Sequence, residues 1–233
     1  DYITYSAPID DLKSWRYEGV IFRKDQDPMN RKKMKALYAP DCIQGPDGKF
    51  YLYYSVTGSG VIGVAVADNP AGPFEFHSYV KYQNGKILGK AKGDVFQFDP
   101  GIYVEGNDVY LYSCFCPTGI PGLVVTGCKP VSKVGPLCMK LDTDMCTIID
   151  GPHDIGVKSV ACSKGTAYEG HEFFEASSMR KINGKYYFIY SSFLGHELCY
   201  AISDRPDGDF KYGGTIVSIG DVGLRGIKGV KDA

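Results

Sequence analysis

Three stretches of this chain repeat one pattern: an acidic residue, a few small residues, a turn and an aromatic β-run. Asp41 leads CIQGPDGKFYLYYS, Asp99 leads PGIYVEGNDVYLYS, and Glu175 leads ASSMRKINGKYYFIYSS. Aligned on Tyr51, Tyr110 and Tyr187, the acids lie 10, 11 and 12 residues upstream. A repeat constrains a fold more than any single motif, because each copy must pack against the next. It also places a carboxylate at nearly the same structural address three times.

A second recurring outline surrounds this one. VIGVAVADNPAGPFEFHSYV and ELCYAISDRPDGDFKYGGTIV each read as a strand, a Pro/Gly/Asp turn and a short outer strand. YITYSA, PIDDLKSW and RYEGVIF at 1–22 have the same outline, with Trp15 aligned to Phe74 and Phe210. The pairs Gly48/Gly184, Asp68/Asp204 and Phe74/Phe210 are each 136 residues apart, and the Asp99 copy lies between, so the unit is about 68 residues. Each unit holds four strand-like segments: acid-led, aromatic, apolar ending in Asp, and outer. A four-stranded repeat of this kind is a β-propeller blade. The expectation is an all-β propeller domain over 1–233, with outer strands of one blade at 1–22 and further blades at 37–80, 95–149 and 171–217.

Composition agrees and excludes several functions. Gly (29), Tyr (18) and Phe (12) are abundant, as glycine turns between aromatic strands require. Lys plus Arg (26) balances Asp plus Glu (27), which argues against a nucleic-acid or anionic membrane partner. Apolar runs are short and interrupted, so no membrane span is expected. The eight Cys include no CxxC pair, and Cys114 and Cys116 are two apart, so buried reduced thiols are expected. That pattern, with opening residues unlike a signal peptide, favours a reducing, cytoplasmic compartment. Cys and His are not clustered at zinc-ligand spacing, and no metal site is expected.

Residues 23–36 read as an exposed basic loop, 81–97 as a polar connection, 117–137 as an irregular third-strand region, and 150–170 as a long loop of the kind that lines sites. GDVGLRGIKGVKDA has no blade pattern. Asp68 and Asp204 read as turn residues.

The innermost strand of a propeller blade faces the central axis. Asp41, Asp99 and Glu175 would then converge from three adjacent blades. Crowded carboxylates oppose one another's ionisation, so at least one pKa rises. A neutral acid beside an ionised one suits glycoside hydrolysis. His171, four residues before Glu175, is a candidate for bonding a sugar hydroxyl or orienting the acid, although a lone His is more often structural. Tyr38 and Phe98 are candidate sugar-stacking rings.

These motifs resemble those of glycoside hydrolase family 43, five-bladed β-propeller enzymes acting on arabinose- and xylose-containing glycans. YAPD at Tyr38–Asp41 resembles the family's W-A-P-D segment, FDPGIYVEGNDVYLYS at Phe98–Ser113 its F-D-P strand, and FFEASSMRKINGKYYFIYSS at Phe173–Ser192 its acid-bearing strand. The likeness runs from Asp1 to about Asp221. It implies an inverting arabinofuranosidase or xylosidase acting on an oligosaccharide or polysaccharide. By motif match Glu175 is the general acid, Asp99 tunes its pKa and orients it, and Asp41 supports the sugar site with Tyr38 in place of a stacking Trp. It also implies a general base on the inner strand of blade 1, before the start of this chain. Asp1, Asp10 and Asp11 match outer-strand positions and are not assigned to it. No cofactor is required, and the structural calcium of the complete family fold goes with a blade 5 segment this chain lacks. Two other readings compete. One is a propeller that grips glycans without cleaving them. The other is an invertase-like relative, which Ala176 after the acid argues against. A partial propeller would expose unpaired strand edges, so this span made alone is expected to associate.

Overall fold

The computed structural model describes residues 1–218. Strands β1 (Tyr2–Ser6) and β2 (Arg16–Phe22) form an antiparallel pair. A four-stranded sheet follows: β3 (Leu37–Gln44), β4 (Phe50–Val56), β5 (Ile62–Ala67) and β6 (Glu75–Tyr79). The next sheet is ordered β7-β11-β10-β9-β8 and comprises β7 (Lys81–Tyr82), β8 (Gly101–Glu105), β9 (Asp108–Ser113), β10 (Leu137–Leu141) and β11 (Thr147–Asp154). The last is β12 (Phe173–Ile182), β13 (Lys185–Ser192), β14 (Leu198–Ser203) and β15 (Lys211–Val217). Within the repeats every neighbouring pair is antiparallel, as tight turns dictate. No helix among the described residues is long and apolar enough to cross a membrane.

Period-two alternation builds the stack. On β4, Tyr51 and Tyr53 join a core with Val109, Leu111 and Met139 of the next sheet. Leu52, Tyr54 and Val56 point the other way, into a core with Ile21 and Phe22 of β2. On β9, Val109 and Leu111 face back, while Tyr110 and Tyr112 face forward to Phe173, Phe188 and Tyr190. Each core is therefore an interface between consecutive sheets. A fully buried aromatic here contributes about 1.5–3 kcal/mol. The turn aspartates also repeat: Asp68 pairs with Lys49 and Asp204 with Lys185.

Five features depart from the sequence expectations. The 117–137 region contains a helix, α1 (Gly119–Thr126), before its sheet resumes at Leu137. The polar connection after Tyr79 contributes β7, paired parallel with β11. Trp15 is 59% exposed, whereas its counterparts Phe74 and Phe210 are buried, because no described element covers that face of β1–β2. The 150–170 loop is partly core: Ile155, Val157 and Tyr168 are buried against the last sheet. In the basic loop at 23–36, Asp27 is fully buried and accepts hydrogen bonds from the hydroxyls of Tyr54 and Tyr79, both 2.7 Å. The glycine-rich tail at 220–233 lies outside the described residues.

Candidate active site

The inner strands β3, β8 and β12 lie side by side, with Asp41 on β3, Asp99 just before β8 and Glu175 on β12. At each acid the backbone is irregular. Register slips in β3 between Tyr38 and Asp41, where Ala39 has φ +49°. Register slips in β12 on both sides of Glu175, and Ala176 has φ +64°. Asp99 itself has φ +49°, just before β8. Left-handed backbone at non-glycine residues is costly, and bulges re-aim side chains, so both features fit a site where side-chain direction matters.

The three sheets meet closely here. A Cβ on Gly101 would lie 2.4 Å from the Ser177 carbonyl oxygen, so only glycine lets β8 approach β12 this far. The acids then bridge the seams. Asp41 accepts from the Cys42 amide at 3.0 Å through Oδ1 and from the Ile102 amide of β8 at 2.9 Å through Oδ2. Asp99 accepts from the Ala176 amide of β12 at 3.0 Å through Oδ2, and its own amide donates to Ser55 Oγ. The Glu175 carboxyl has no hydrogen bond or ion pair among the described residues, which leaves it available.

Electrostatics separates them further. Burial, then the charge of Glu175, pushes Asp99 up to about 7, and the Ala176 amide offsets part of that rise. Burial also raises Glu175, while the His196 ring pulls it back. Burial raises Asp41, opposed by its two amide donors and by Arg180.

An aromatic belt borders the acids. Ring centroids run from Tyr38 to Phe98 at 6.0 Å, Phe98 to Phe115 at 5.3 Å, and Phe115 to Phe174 at 5.1 Å. Phe174 then meets His196 at 5.1 Å. Tyr38 is 46% exposed and offers an open face, and Phe98 is half-buried.

Of the residues singled out from sequence, Asp99, Glu175, Tyr38 and Phe98 come together here. Asp41 joins them with both oxygens already engaged by backbone amides. His171 is turned elsewhere: its Nδ1 meets Glu197 Oε2 at 2.8 Å and its ring stacks on Tyr212 at 4.9 Å. Sequence reasoning missed His196 and Ser55. Ser55 lies near the end of β4 and His196 in the turn after β13, both at the end where the acids sit.

The profile for Glycosyl hydrolases family 43 matches residues 8–177. The chain belongs to that family. A curated xylosidase/arabinosidase of Thermoclostridium stercorarium is 49% identical over 98% of this chain, and the match covers 46% of that protein. A solved β-xylosidase superposes with a TM-score of 0.66 at 28% identity, covering 94% of this chain and 67% of the other. A solved β-xylosidase/α-arabinofuranosidase from a compost metagenome, in complex with xylotriose, gives a TM-score of 0.62 at 26% identity, covering 87% and 62%. The sheets described above are thus blades of a family 43 five-bladed β-propeller. The chain spans about half the length of its curated xylosidase/arabinosidase relative.

Proposed function

We propose that this chain carries the acid-bearing blades of an inverting glycosidase that removes terminal arabinofuranosyl or xylosyl residues from plant-type glycans. One observation carries the reading: Asp99 is bonded to the amide beside Glu175, burial raises both carboxyls, and the charge of Glu175 adds to the rise at Asp99.

The chemistry follows from that coupling. Near neutral pH the pair retains a proton that two isolated carboxyls would have lost. A sugar entering over Tyr38 and Phe98 covers Glu175, the more exposed partner, and removes its water. The Ala176 amide meanwhile favours charge on Asp99. The proton therefore passes to Glu175, which delivers it to the leaving glycosidic oxygen as the bond breaks. Asp99 then sits beside the Glu175 anion, and their repulsion favours reprotonation for the next turnover. In an inverting reaction a second carboxylate on the opposite face activates water. Asp1 and Asp11 are engaged on the outer pair, by Lys24 and by Ser14 respectively, so the reading assigns that base to the blade 1 inner strand of the longer protein. The similar proteins' names and the xylotriose complex support the pentose substrate class.

The test is Glu175→Gln in the complete protein, assayed on xylobiose, on an arabinofuranosyl oligosaccharide and on a dinitrophenyl pentoside. Turnover of the natural linkages is expected to fall about 10²–10⁴-fold, with the dinitrophenyl substrate largely spared because its leaving group needs no proton. Equal losses on all three would remove Glu175 from the acid role. Glycan binding without turnover by the unaltered protein would make it a glycan-binding propeller.

A further inference from the structure

A second polar cluster lies in the last blade, independent of the glycosidase reading. His171 Nδ1, Glu197 Oε2 and Cys199 Sγ all lie within 4.8 Å of one another. The sequence shows no zinc spacing because the donors come from two segments, one before β12 and one at the start of β14. The fold brings them together. Glu197 Oε2 is the focus: His171 Nδ1 lies at 2.8 Å, Ser192 Oγ at 3.4 Å and Cys199 Sγ at 3.7 Å.

We propose that these three side chains form a Zn²⁺ site. The donor set fits that ion: imidazole nitrogen, thiolate sulfur and carboxylate oxygen are its three protein ligand types. The spacing fits as well. Zinc bonds of about 2.3 Å to sulfur and about 2.1 Å to oxygen in a tetrahedron put the two ligands about 3.6 Å apart, close to the 3.7 Å between Cys199 and Glu197. The His171–Glu197 pair must open slightly. Charge balances too: a thiolate and a carboxylate with neutral imidazole neutralise the divalent ion, which matters because Glu197 and Cys199 are both buried. On binding, the Cys199 S–H bond and any proton held between His171 and Glu197 are replaced by bonds to zinc, and the protons go to solvent. The imidazole side is partly open, with 28% of the His171 side chain exposed, which leaves a path for the ion and a fourth position for water. Supporting contacts fix the ligands. Tyr212 stacks on the ring, the Tyr190 hydroxyl donates to the His171 carbonyl at 2.7 Å, and Thr215 Oγ1 lies 3.5 Å from Cys199 Sγ.

Occupancy would tie the segment entering β12 to β14. Glu197 follows His196, whose charge acts on Glu175, so the ion would also hold the catalytic edge of the blade.

The experiment adds ZnSO₄ to chelator-treated full-length protein, followed by calorimetry and thermal unfolding, with CoCl₂ as a spectroscopic probe. One ion per chain is expected, with a rise in Tm and a thiolate-to-cobalt charge-transfer band. Cys199→Ser should abolish the band and weaken binding about 100-fold or more, since loss even of a ligand's supporting partner costs about 10–100-fold. His171→Gln, at a partly exposed position, gives a second reading less exposed to folding defects and should weaken binding similarly. Cys162→Ser, which removes an exposed thiol outside the cluster, should change nothing. Absence of one-to-one binding, or binding unaffected by Cys199→Ser and His171→Gln, would show a plain His–Glu ion pair and overturn the proposal.

Discussion

The seam between the second and third blades and the seam between the third and fourth are cut from the same part of the repeat, yet their acids differ in state. At the first, Asp41 has both oxygens bound by amides, one its neighbour's and one from the next blade. At the second, Asp99 binds one amide across the seam and faces the charge of Glu175. Glu175 binds none. Along the repeat the carboxylate passes from a tie between blades, through a tie that is also electrostatically coupled, to a free acid. A structural position in a repeat becomes a chemical one when its hydrogen-bond donors are withdrawn and a like charge is set beside it.

Substitutions can break that gradient. Asp99→Asn should have the largest effect. It removes the group that keeps a proton in the pair up to about pH 7, so the alkaline limb of the kcat/KM profile should move to lower pH, with turnover at neutral pH down about 100-fold. It should also change stability. Asp99 titrates near 7 folded against about 3.9 unfolded, so its contribution is complete below pH 4 and is lost as pH rises toward 7. Thermal unfolding from pH 4 to 8 should show that decline, up to about 4 kcal/mol, and the asparagine variant should flatten it. A profile unchanged in both respects would mean that the two acids are not coupled.

Asp41→Asn should act the other way round. Its amide has one acceptor oxygen for two donors, so a partly buried amide loses its partner. Stability in urea should fall by about 1–3 kcal/mol, while kcat changes less than tenfold. A large kcat loss with normal stability would make Asp41 a catalytic group like Asp99.

His196→Gln sharpens the comparison with a smaller effect of opposite sign. The ring lowers Glu175, so its loss should move the alkaline limb upward, opposite to Asp99→Asn. Smallest of all, Tyr38→Ala should raise KM for a xylo-oligosaccharide several-fold with kcat nearly unchanged, because one exposed ring face supplies stacking worth about 1 kcal/mol. A kcat loss instead would place Tyr38 at the reacting bond.

Much of this was legible in the chain because the signals are local. Turn residues and period-two alternation mark strands wherever they fall, and so the blades could be read from Tyr51, Tyr110 and Tyr187 outward. The acids were legible because the repeat gives them a common register. Their inequality was not, since Asp41 and Asp99 lead similar strands and differ in the amides each meets and in the charge of Glu175 beside Asp99. His196 carried no periodic signal, although the turn after the third aromatic run lies at the acid end. Helix α1 was hidden because Gly119 and Pro121 in its first turn read as loop punctuation. His171 and Glu197 are 26 residues apart, and only the folding of β13 back along β12 brings them together.

The most direct measurement of the central claim is a carboxyl ¹³C NMR titration of Glu175 and Asp99 in the unaltered protein and in Asp99→Asn. Coupling requires two linked steps, one of them near neutrality, and the loss of the near-neutral step once Asp99 is replaced. Independent titration of both carboxyls in the ordinary range near 4, unchanged by the substitution, would contradict it.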